Sequence, residues 1–188
     1  MLGGRSFPFD PRLWTAALVV CALAMAGCSR RPQAPLLQDE PVYHNAREGI
    51  RFLKPEGWIQ RAKADIPAGR TTEEHSLVDY SHWHGDMPAL LELSLVDLPE
   101  STNLGEYATE ASFGAHFWKL VSGPEVVEAG GVPGKRYVLT TQEKGDRTKE
   151  VVAFRRGERV YFFIGVFMTA DEAARDQIRQ AMKSIVWE

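Results

Sequence analysis

The residues best suited to chemistry in this chain are histidines on and before one predicted turn. His82 and His84 flank a tryptophan, and His75 lies upstream. Because residues two apart on a strand share a face, His82 and His84 could chelate one divalent metal ion. A third ligand would have to come from His75, Asp86 or His116, and the spacing does not fix which. The sequence favours the alternative, a strand end that enters a turn with solvated imidazoles, so we expect no metal and no cofactor.

Other catalytic patterns are missing from the sequence. There is no Gly-x-Ser-x-Gly elbow, and neither cysteine falls within the predicted domain. Residues 130–134 are glycine-rich but lack the lysine and the helix start of a phosphate loop, so we expect a loop between strands there. We therefore expect that the chain is not an enzyme. The alternative left open is a metal-dependent or hydrolytic enzyme built on His75, His82 and His84.

The charge balance of the chain argues against a nucleic-acid partner. Its 188 residues include 22 lysines and arginines against 25 aspartates and glutamates, with no long run of one sign. A nucleic-acid-binding domain usually carries a basic face. A chain of this length, without its first 27 residues, suits one domain, which can bury roughly two-thirds of its unfolded surface without disulfides.

The N-terminal residues have the pattern of an export signal. Arg5 and Arg12 precede an apolar stretch from Leu13 to Ala26, too short for a bilayer span, which needs about 20 residues. The stretch ends in Met-Ala-Gly before Cys28, which resembles the lipobox of bacterial lipoproteins. That resemblance implies cleavage before Cys28 and a diacylglyceryl group on its thiol. Two or three acyl chains would anchor the protein stably, where one chain is marginal.

We therefore predict a lipoprotein signal peptide over residues 1–27, and a lipidated cysteine with a proline-rich tether over residues 28–41. The protein would face the periplasm from a membrane of the bacterial cell envelope. Ser29 follows the cysteine, which under the usual sorting rule favours the outer over the inner membrane. Two alternatives stay open: an ordinary secretory signal cut before the cysteine, and an uncleaved anchor helix.

The remaining residues, 42–188, are predicted to form a single α+β domain. A short strand runs through Ile50 and Phe52, and the pattern around the histidines predicts two strands, Ser76–Trp83 and Ala89–Val96, joined around residues 85–88. The later strands are predicted at Glu125–Glu128, Lys135–Gln142, Lys149–Arg155 and Arg159–Met168.

Two helices are predicted among these strands. The first begins at Asn103 as a capping residue and keeps helical apolar spacing as far as Trp118, which we expect in the core. The second begins at Thr169, whose hydroxyl would cap it, and buries a stripe that includes Ile178. The order of strands, helix, strands and helix indicates an antiparallel α+β domain.

The start of the domain carries a family resemblance. Tyr43, then Gly49-Ile50-Arg51-Phe52 and Pro55-Glu56-Gly57-Trp58, resemble the opening of the PsbP-like family, whose fold is shared by DcrB-type bacterial lipoproteins. The resemblance covers about Tyr43 to Glu188 in element order. It implies an antiparallel sheet with helices packed on both faces, an α/β/α sandwich, and proteins that act mostly by binding other proteins. It carries over no catalytic residue.

These observations lead to one expected function. The chain would be a membrane-tethered envelope lipoprotein acting as a non-catalytic protein-binding or accessory module, with an envelope protein as its partner. The turn around residues 82–88 is the first candidate for the contact, because it exposes Trp83 beside His84.

Overall fold

The computed structural model describes residues 41–188, except 65, 67, 68, 85, 86 and 144. The predicted signal peptide, Cys28 and nearly all of the tether lie outside those residues, so what the sequence predicts for them stays a prediction. Within the described part, no helix is long and apolar enough to cross a membrane.

The described residues form ten strands and two helices. The strands are β1 Val42–Asn45, β2 Ile50–Leu53, β3 Ile59–Lys63, β4 His75–His84, β5 Met87–Asp97, β6 Lys119–Ala129, β7 Val132–Thr141, β8 Arg147–Arg156, β9 Arg159–Met168 and β10 Val186–Trp187. The helices are α1 Leu104–Ala108 and α2 Glu172–Lys183.

All strand pairs are antiparallel, and they form two sheets. The main sheet has seven strands in the order β3-β4-β5-β9-β8-β7-β6, and β1, β2 and β10 form a small second sheet. Strand β9 lies at the centre of the main sheet and is buried over nearly its whole length. Its sequence, apolar at almost every position, is typical of a strand covered on both faces.

Alternate residues of β9 divide the core in two. Tyr161 and Phe163 face α2 and the small sheet, a side here called the α2 face. Phe162 and Ile164 point to the opposite side, the α1 face, where they pack with residues of α1. On the α2 face a methyl group at Gly165 would overlap the side chain of Ile178, so glycine lets α2 lie close to the sheet.

The first helix is much shorter than the sequence predicts. Asn103 does cap it, with Oδ1 accepting from the backbone N–H of Gly105 at 3.0 Å. The helix then ends at Ala108 instead of continuing towards Trp118. Phe113 and Gly114 adopt positive φ angles of 53° and 73°, which a right-handed helix cannot contain. The residues from 109 to 118 therefore form an irregular segment that lies over the α1 face.

The start of the second helix is also corrected. Asp171, not Thr169, caps α2, and its Oδ1 accepts from the backbone N–H of Ala174 at 3.0 Å. The Thr169 hydroxyl instead lies 2.9 Å from the hydroxyl of Thr148 and is hydrogen-bonded to it. The helix begins two to three residues later than predicted because a carboxylate competes better than a hydroxyl for the first free N–H groups.

The prediction of helices packed on both faces is not supported. The α2 face carries a 12-residue helix, whereas the α1 face carries one helix of five residues and the irregular segment. The antiparallel sheet was predicted correctly, but the second helical layer of an α/β/α sandwich was not. Leu104 and Ala108 of α1 are buried, so the short helix still contributes to the core.

Two further predictions change at the ends of strands. Strand β7 begins at Val132, so only Gly130 and Gly131 of the glycine-rich run form the turn that precedes it. The edge strand β6 starts at Lys119, and its register shifts twice before Glu125. Shifts of this kind disrupt the row of free backbone groups that an edge strand would otherwise present.

Candidate binding cleft and exposed face

The structure places His75 and His82 at opposite ends of β4. They are seven positions apart along the strand, a distance of roughly 20 Å. The ring of His82 stacks on Trp58 with 5.9 Å between centroids, and its Nδ1 lies 3.4 Å from the carbonyl oxygen of Gly57. The two histidines therefore do not meet at one point.

The other predicted ligands complete no metal site among the described residues. His84 is the last residue of β4 and pairs with Met87, while Asp86 lies outside the described residues. His116 belongs to the irregular segment, where its backbone N–H donates to Glu143 Oε2 at 2.6 Å. In the part of the chain that the structure describes, no three His, Cys, Asp or Glu residues gather where they could hold a metal ion.

Trp83 stands exposed near the end of the α1 face. Ser81 lies two residues before Trp83 in β4, so both side chains are on the same side of the sheet. Ser81 pairs with Leu90 of β5 and with Ile59 of β3, and residues paired in this way also share a side. Leu90 packs against the core of the α1 face, which fixes the side on which Trp83 and Ile59 lie. Trp83 is 64% exposed and Ile59 is 65% exposed. These two residues are called the apolar patch below.

A cleft of about 330 Å³ opens on the same α1 face, between the sheet and the α1 region. Its floor includes Phe162 and Ile164 of β9, and its walls include Glu92 of β5, Tyr107 of α1 and Lys149 of β8. The sequence did not indicate any of these residues as part of a site. Sheet, helix and irregular segment must all be in place before the charged side chains come together.

One wall of the cleft is held by Glu74. The Ser94 hydroxyl donates to its Oε1 at 2.5 Å, and the Tyr107 hydroxyl donates to its Oε2 at 2.9 Å. The Tyr107 ring stacks on Phe162, with centroids 5.0 Å apart and planes 12° from parallel. Burial, reinforced by the Glu74 carboxylate, raises the pKa of Tyr107, so its hydroxyl stays a donor. Glu74 therefore fastens α1 to the sheet.

Lys149 is the buried cation of the cleft. It is only 3% exposed, its Nζ donates to the Ser112 hydroxyl at 2.9 Å, and it lies 5.3 Å from the centre of the Trp118 ring. No carboxylate of the described residues forms an ion pair with it. Burial lowers the pKa of Lys149 to about 8, although nearby carboxylates oppose the shift.

A second buried cation, Arg147, holds the irregular segment beside Lys149. Its Nη1 donates to the carbonyl oxygen of Phe113 at 3.1 Å, and its guanidinium lies 6.0 Å from the centre of the Trp118 ring. Trp118 is itself buried, as predicted, although it lies on the irregular segment and not on a helix. Arg147 and Trp118 therefore anchor this segment to the sheet.

Glu92 is the half-buried acid of the cleft. Burial raises its pKa, and the neighbouring Ser76 hydroxyl opposes that shift. Across β4 and β5 Glu92 pairs with Asp79, whose carboxylate also raises the pKa of Glu92. An acid with a raised pKa and an amine with a lowered pKa in one cavity are typical of ligand-binding and catalytic sites, where burial and neighbouring charges shift pKa values.

The α2 face carries a different kind of charge cluster. Glu150 is 1% exposed. The Nε of Arg179 donates to its two carboxylate oxygens at 3.1 and 3.0 Å, and Nη2 of Arg136 donates to its Oε2 at 3.1 Å. Arg136 also contacts Glu125 at 3.0 Å. Every charge in this cluster has a partner, so the cluster serves to dock α2 on the sheet.

A third cluster joins the two sheets. Arg159 donates to Asp97 at 2.8 and 3.1 Å and to Glu48 at 3.3 and 3.1 Å, and the Tyr161 hydroxyl donates to Glu48 at 2.9 Å. The hydrogen bonds from Arg159 hold the pKa of Asp97 below its usual value. Glu48 lies in the turn between β1 and β2, so this cluster fastens the small sheet to the main one.

Comparison with known proteins identifies the fold. No protein-family profile matches the chain, and no curated protein sequence matches it. Among solved structures, the chain is similar to the PsbP protein (CyanoP) of the cyanobacterium Synechocystis sp. PCC 6803, with a TM-score of 0.55 and 13% identity over 78% of this chain and 91% of that one. It also matches a Pseudomonas aeruginosa protein of unknown function, with a TM-score of 0.48 and 15% identity over 70% of this chain and 97% of that one. The first match shows that the fold is PsbP-like, as the opening residues predicted.

Proposed function

We propose that this protein is a lipid-anchored module of the bacterial cell envelope that binds another envelope protein and performs no chemistry itself. The observation that carries the proposal is the apolar patch, Ile59 and Trp83, exposed on the same face of the sheet. The anchor would be the acylated Cys28, which lies outside the described residues. The domain would face the periplasm, with the outer membrane favoured.

The patch is suited to protein contact on physical grounds. Burying one large apolar side chain completely stabilises a complex by roughly 1.5–3 kcal/mol, and aromatic residues are enriched among those that dominate interfaces. Ile59 and Trp83 belong to neighbouring strands, so the sheet holds both in a fixed relation. A partner would therefore meet a preformed surface, which limits the entropy lost on binding.

The tether would strengthen a weak contact. Short flexible linkers give effective concentrations in the millimolar range for partners within reach. A module confined near a membrane can therefore act through a small surface such as this patch. The PsbP-like fold supports the proposal to the extent that proteins of that family act mostly by binding other proteins.

The alternative of a metal-dependent or hydrolytic enzyme built on His75, His82 and His84 has no comparable support. Strand β4 separates His75 from His82 by roughly 20 Å. His82 is instead engaged with Trp58 and the turn before β3.

Crosslinking in native envelopes, followed by mass spectrometry, tests the contact. Trp83→Ala and Ile59→Ala should each lose the main crosslinked partner. Val126→Ala is the matched control, because Val126 is an apolar residue of β6, 79% exposed, at the opposite edge of the sheet. An unchanged partner profile in both patch variants would exclude this surface. Turnover of small esters, phosphoesters or peptides by the purified chain would exclude a non-catalytic role.

Mass spectrometry of the processed protein tests the anchor. We expect an N-terminal cysteine, Cys28, that carries acyl chains, because the lipobox places the cleavage immediately before it. Cys28→Ser should leave the protein unacylated and release it from membranes. A mature form of unmodified mass that begins at another residue would contradict the proposed anchor.

A further inference from the structure

The state of Lys149 is the first observation that points to a ligand. Its ammonium group has three N–H donors, and the described residues offer it one hydrogen-bond acceptor, the Ser112 hydroxyl oxygen, and the face of the Trp118 ring. A buried cation without an ion pair is costly unless an acceptor reaches it. Arg147 already anchors the irregular segment, so that anchoring does not by itself require a charge at Lys149.

The carboxylates of the cleft are the second observation. Of the described residues that line it, three are acidic, Glu74, Glu92 and Glu110, and one, Lys149, is basic. Glu74 is occupied by the Ser94 and Tyr107 hydroxyls, whereas Glu92 and Glu110 have no ion pair in the described part of the chain. The cleft therefore offers carboxylates without an ion pair together with a cation that has few acceptors.

The separation between Glu92 and Lys149 leaves room for a small molecule. Glu92 pairs with Ile164 of β9, while Lys149 pairs with Val166, two residues further along the same strand. Two strand spacings and two residues put the backbone positions roughly 12 Å apart. The two charges act on each other electrostatically but do not touch as an ion pair. Ile164, directly opposite Glu92 on β9, forms part of the apolar floor between them.

These three features favour one class of ligand. An anion would be repelled by the excess of carboxylates, and a simple cation would leave the donors of Lys149 unused. We infer that the cleft binds a small zwitterion of the amino-acid class, with its ammonium group towards Glu92 and its carboxylate towards Lys149. The volume of about 330 Å³ is at the lower end of small-molecule sites and suits a molecule of this size. This inference is independent of the proposed protein contact.

A matched set of probes tests the inference on the full chain in detergent. 4-Aminobutyrate carries both charges on a three-carbon spacer, while butylamine and butyrate each carry only one of them. With isoleucine methyl groups labelled for NMR, Ile164 reports on the cleft and Ile178 reports on the α2 face. We expect 4-aminobutyrate to shift the Ile164 methyl signal in a saturable way and to leave Ile178 unchanged. Each singly charged probe should bind at least tenfold more weakly.

Two substitutions separate the contributions of the charges. Lys149→Met and Glu92→Gln should each weaken 4-aminobutyrate binding at least tenfold, and Lys149→Met should abolish its preference over butylamine. Lys135→Met is the matched control, because Lys135 is exposed on the neighbouring strand β7 and should leave binding unchanged.

Three results would overturn the inference: no shift of Ile164 with any probe, equal binding of butylamine and 4-aminobutyrate, or equal shifts of Ile164 and Ile178. Because the three probes are compared on the unmodified chain, the misfolding of a variant would not affect that comparison. Loss of the crosslinked partner in the patch variants, with 4-aminobutyrate binding intact, would show that the two surfaces act separately.

Discussion

Lys149 and Glu150 are neighbours in β8, yet their side chains lie on opposite faces of the sheet and contact different kinds of groups. Glu150 on the α2 face meets two guanidinium groups, from Arg179 and Arg136. Lys149 on the α1 face meets a hydroxyl and an aromatic ring. The fully paired Glu150 docks an element of the fold, whereas Lys149, buried without an ion pair in the described residues, lines an open cleft.

The elements that cover the two faces differ in the same way. Helix α2 presents a regular apolar stripe that includes Ile178 and lies close against Gly165. The α1 face is covered in part by a short helix and an irregular segment, with Trp83 and Ile59 exposed beyond them. The α2 face is therefore covered mainly by a regular helix, with a cavity of about 290 Å³ left beside Arg179 and Met182, and the α1 face carries both the cleft and the apolar patch.

The largest expected effect comes from removing the paired charge on the α2 face, Glu150. Glu150→Ala should lower the free energy of unfolding by about 3 kcal/mol, because removing one member of a buried ion pair leaves its partners uncompensated. The value is at the lower end of the usual range because both arginines are partly exposed to water. Urea denaturation measures it. Glu125→Ala, which removes an exposed partner of Arg136, should cost no more than about 1 kcal/mol. Equal losses in the two variants would contradict a docking role for Glu150.

The cluster between the two sheets should set the response to acid. The pKa of Asp97 is lower in the folded than in the unfolded protein, because Arg159 donates to the carboxylate. The stability from this group is fully present above the unfolded pKa and is lost as pH falls through the folded pKa. Asp97→Asn should remove about 2 kcal/mol near pH 7 and flatten the decline in stability below about pH 4. A decline of unchanged steepness in the variant would show that other carboxylates govern it.

The smallest effect, an unchanged or higher stability instead of a loss, is expected when Lys149 on the α1 face is replaced. The pKa of Lys149 is about 8 when folded, below the ordinary lysine value of 10.5, so the unfolded chain holds its proton more tightly between those pH values. The free energy of unfolding should therefore rise with pH across that interval, and this rise should be absent in Lys149→Met. At pH 7 the variant should be as stable as the parent or more stable by about 1 kcal/mol, because an apolar side chain of similar volume replaces a buried charge. A loss of 2 kcal/mol or more would mean that Lys149 holds the fold together, as Glu150 does, and would contradict the difference between the two faces.

Much of the sheet could be predicted from sequence because its strands carry strong local signals. The predicted range of β9, Arg159–Met168, coincides with the strand in the structure, since a long run of apolar residues ends at a clear turn. The first helix could not be bounded in this way. Leu104, Ala111 and Trp118 do have helical spacing, but Phe113 and Gly114 turn the backbone out of the helix between them.

The cleft could not be predicted because its charged residues follow an ordinary alternating pattern. Glu92 sits between leucines on a strand, which usually indicates a side chain that faces water. Only the irregular segment, folded back over the sheet, makes the cavity around Glu92 and Lys149. The one available signal was the presence of three charged residues, Arg147, Lys149 and Glu150, at the start of a strand flanked by hairpins on both sides, which places charge in the middle of a sheet.

The irregular pairing of β6 has a consequence for proteins held close together on one surface. A long, straight edge strand can accept a strand from a neighbouring copy and so begin a growing fibre. In β6 the register shifts at Ser122 and again before Glu125, and Pro124 offers no N–H group. An incoming strand would find no continuous ladder to extend, although Val121 and Val126 are exposed there. Copies of this protein could therefore be crowded at high density without the β6 edge of one acting as a template for the next.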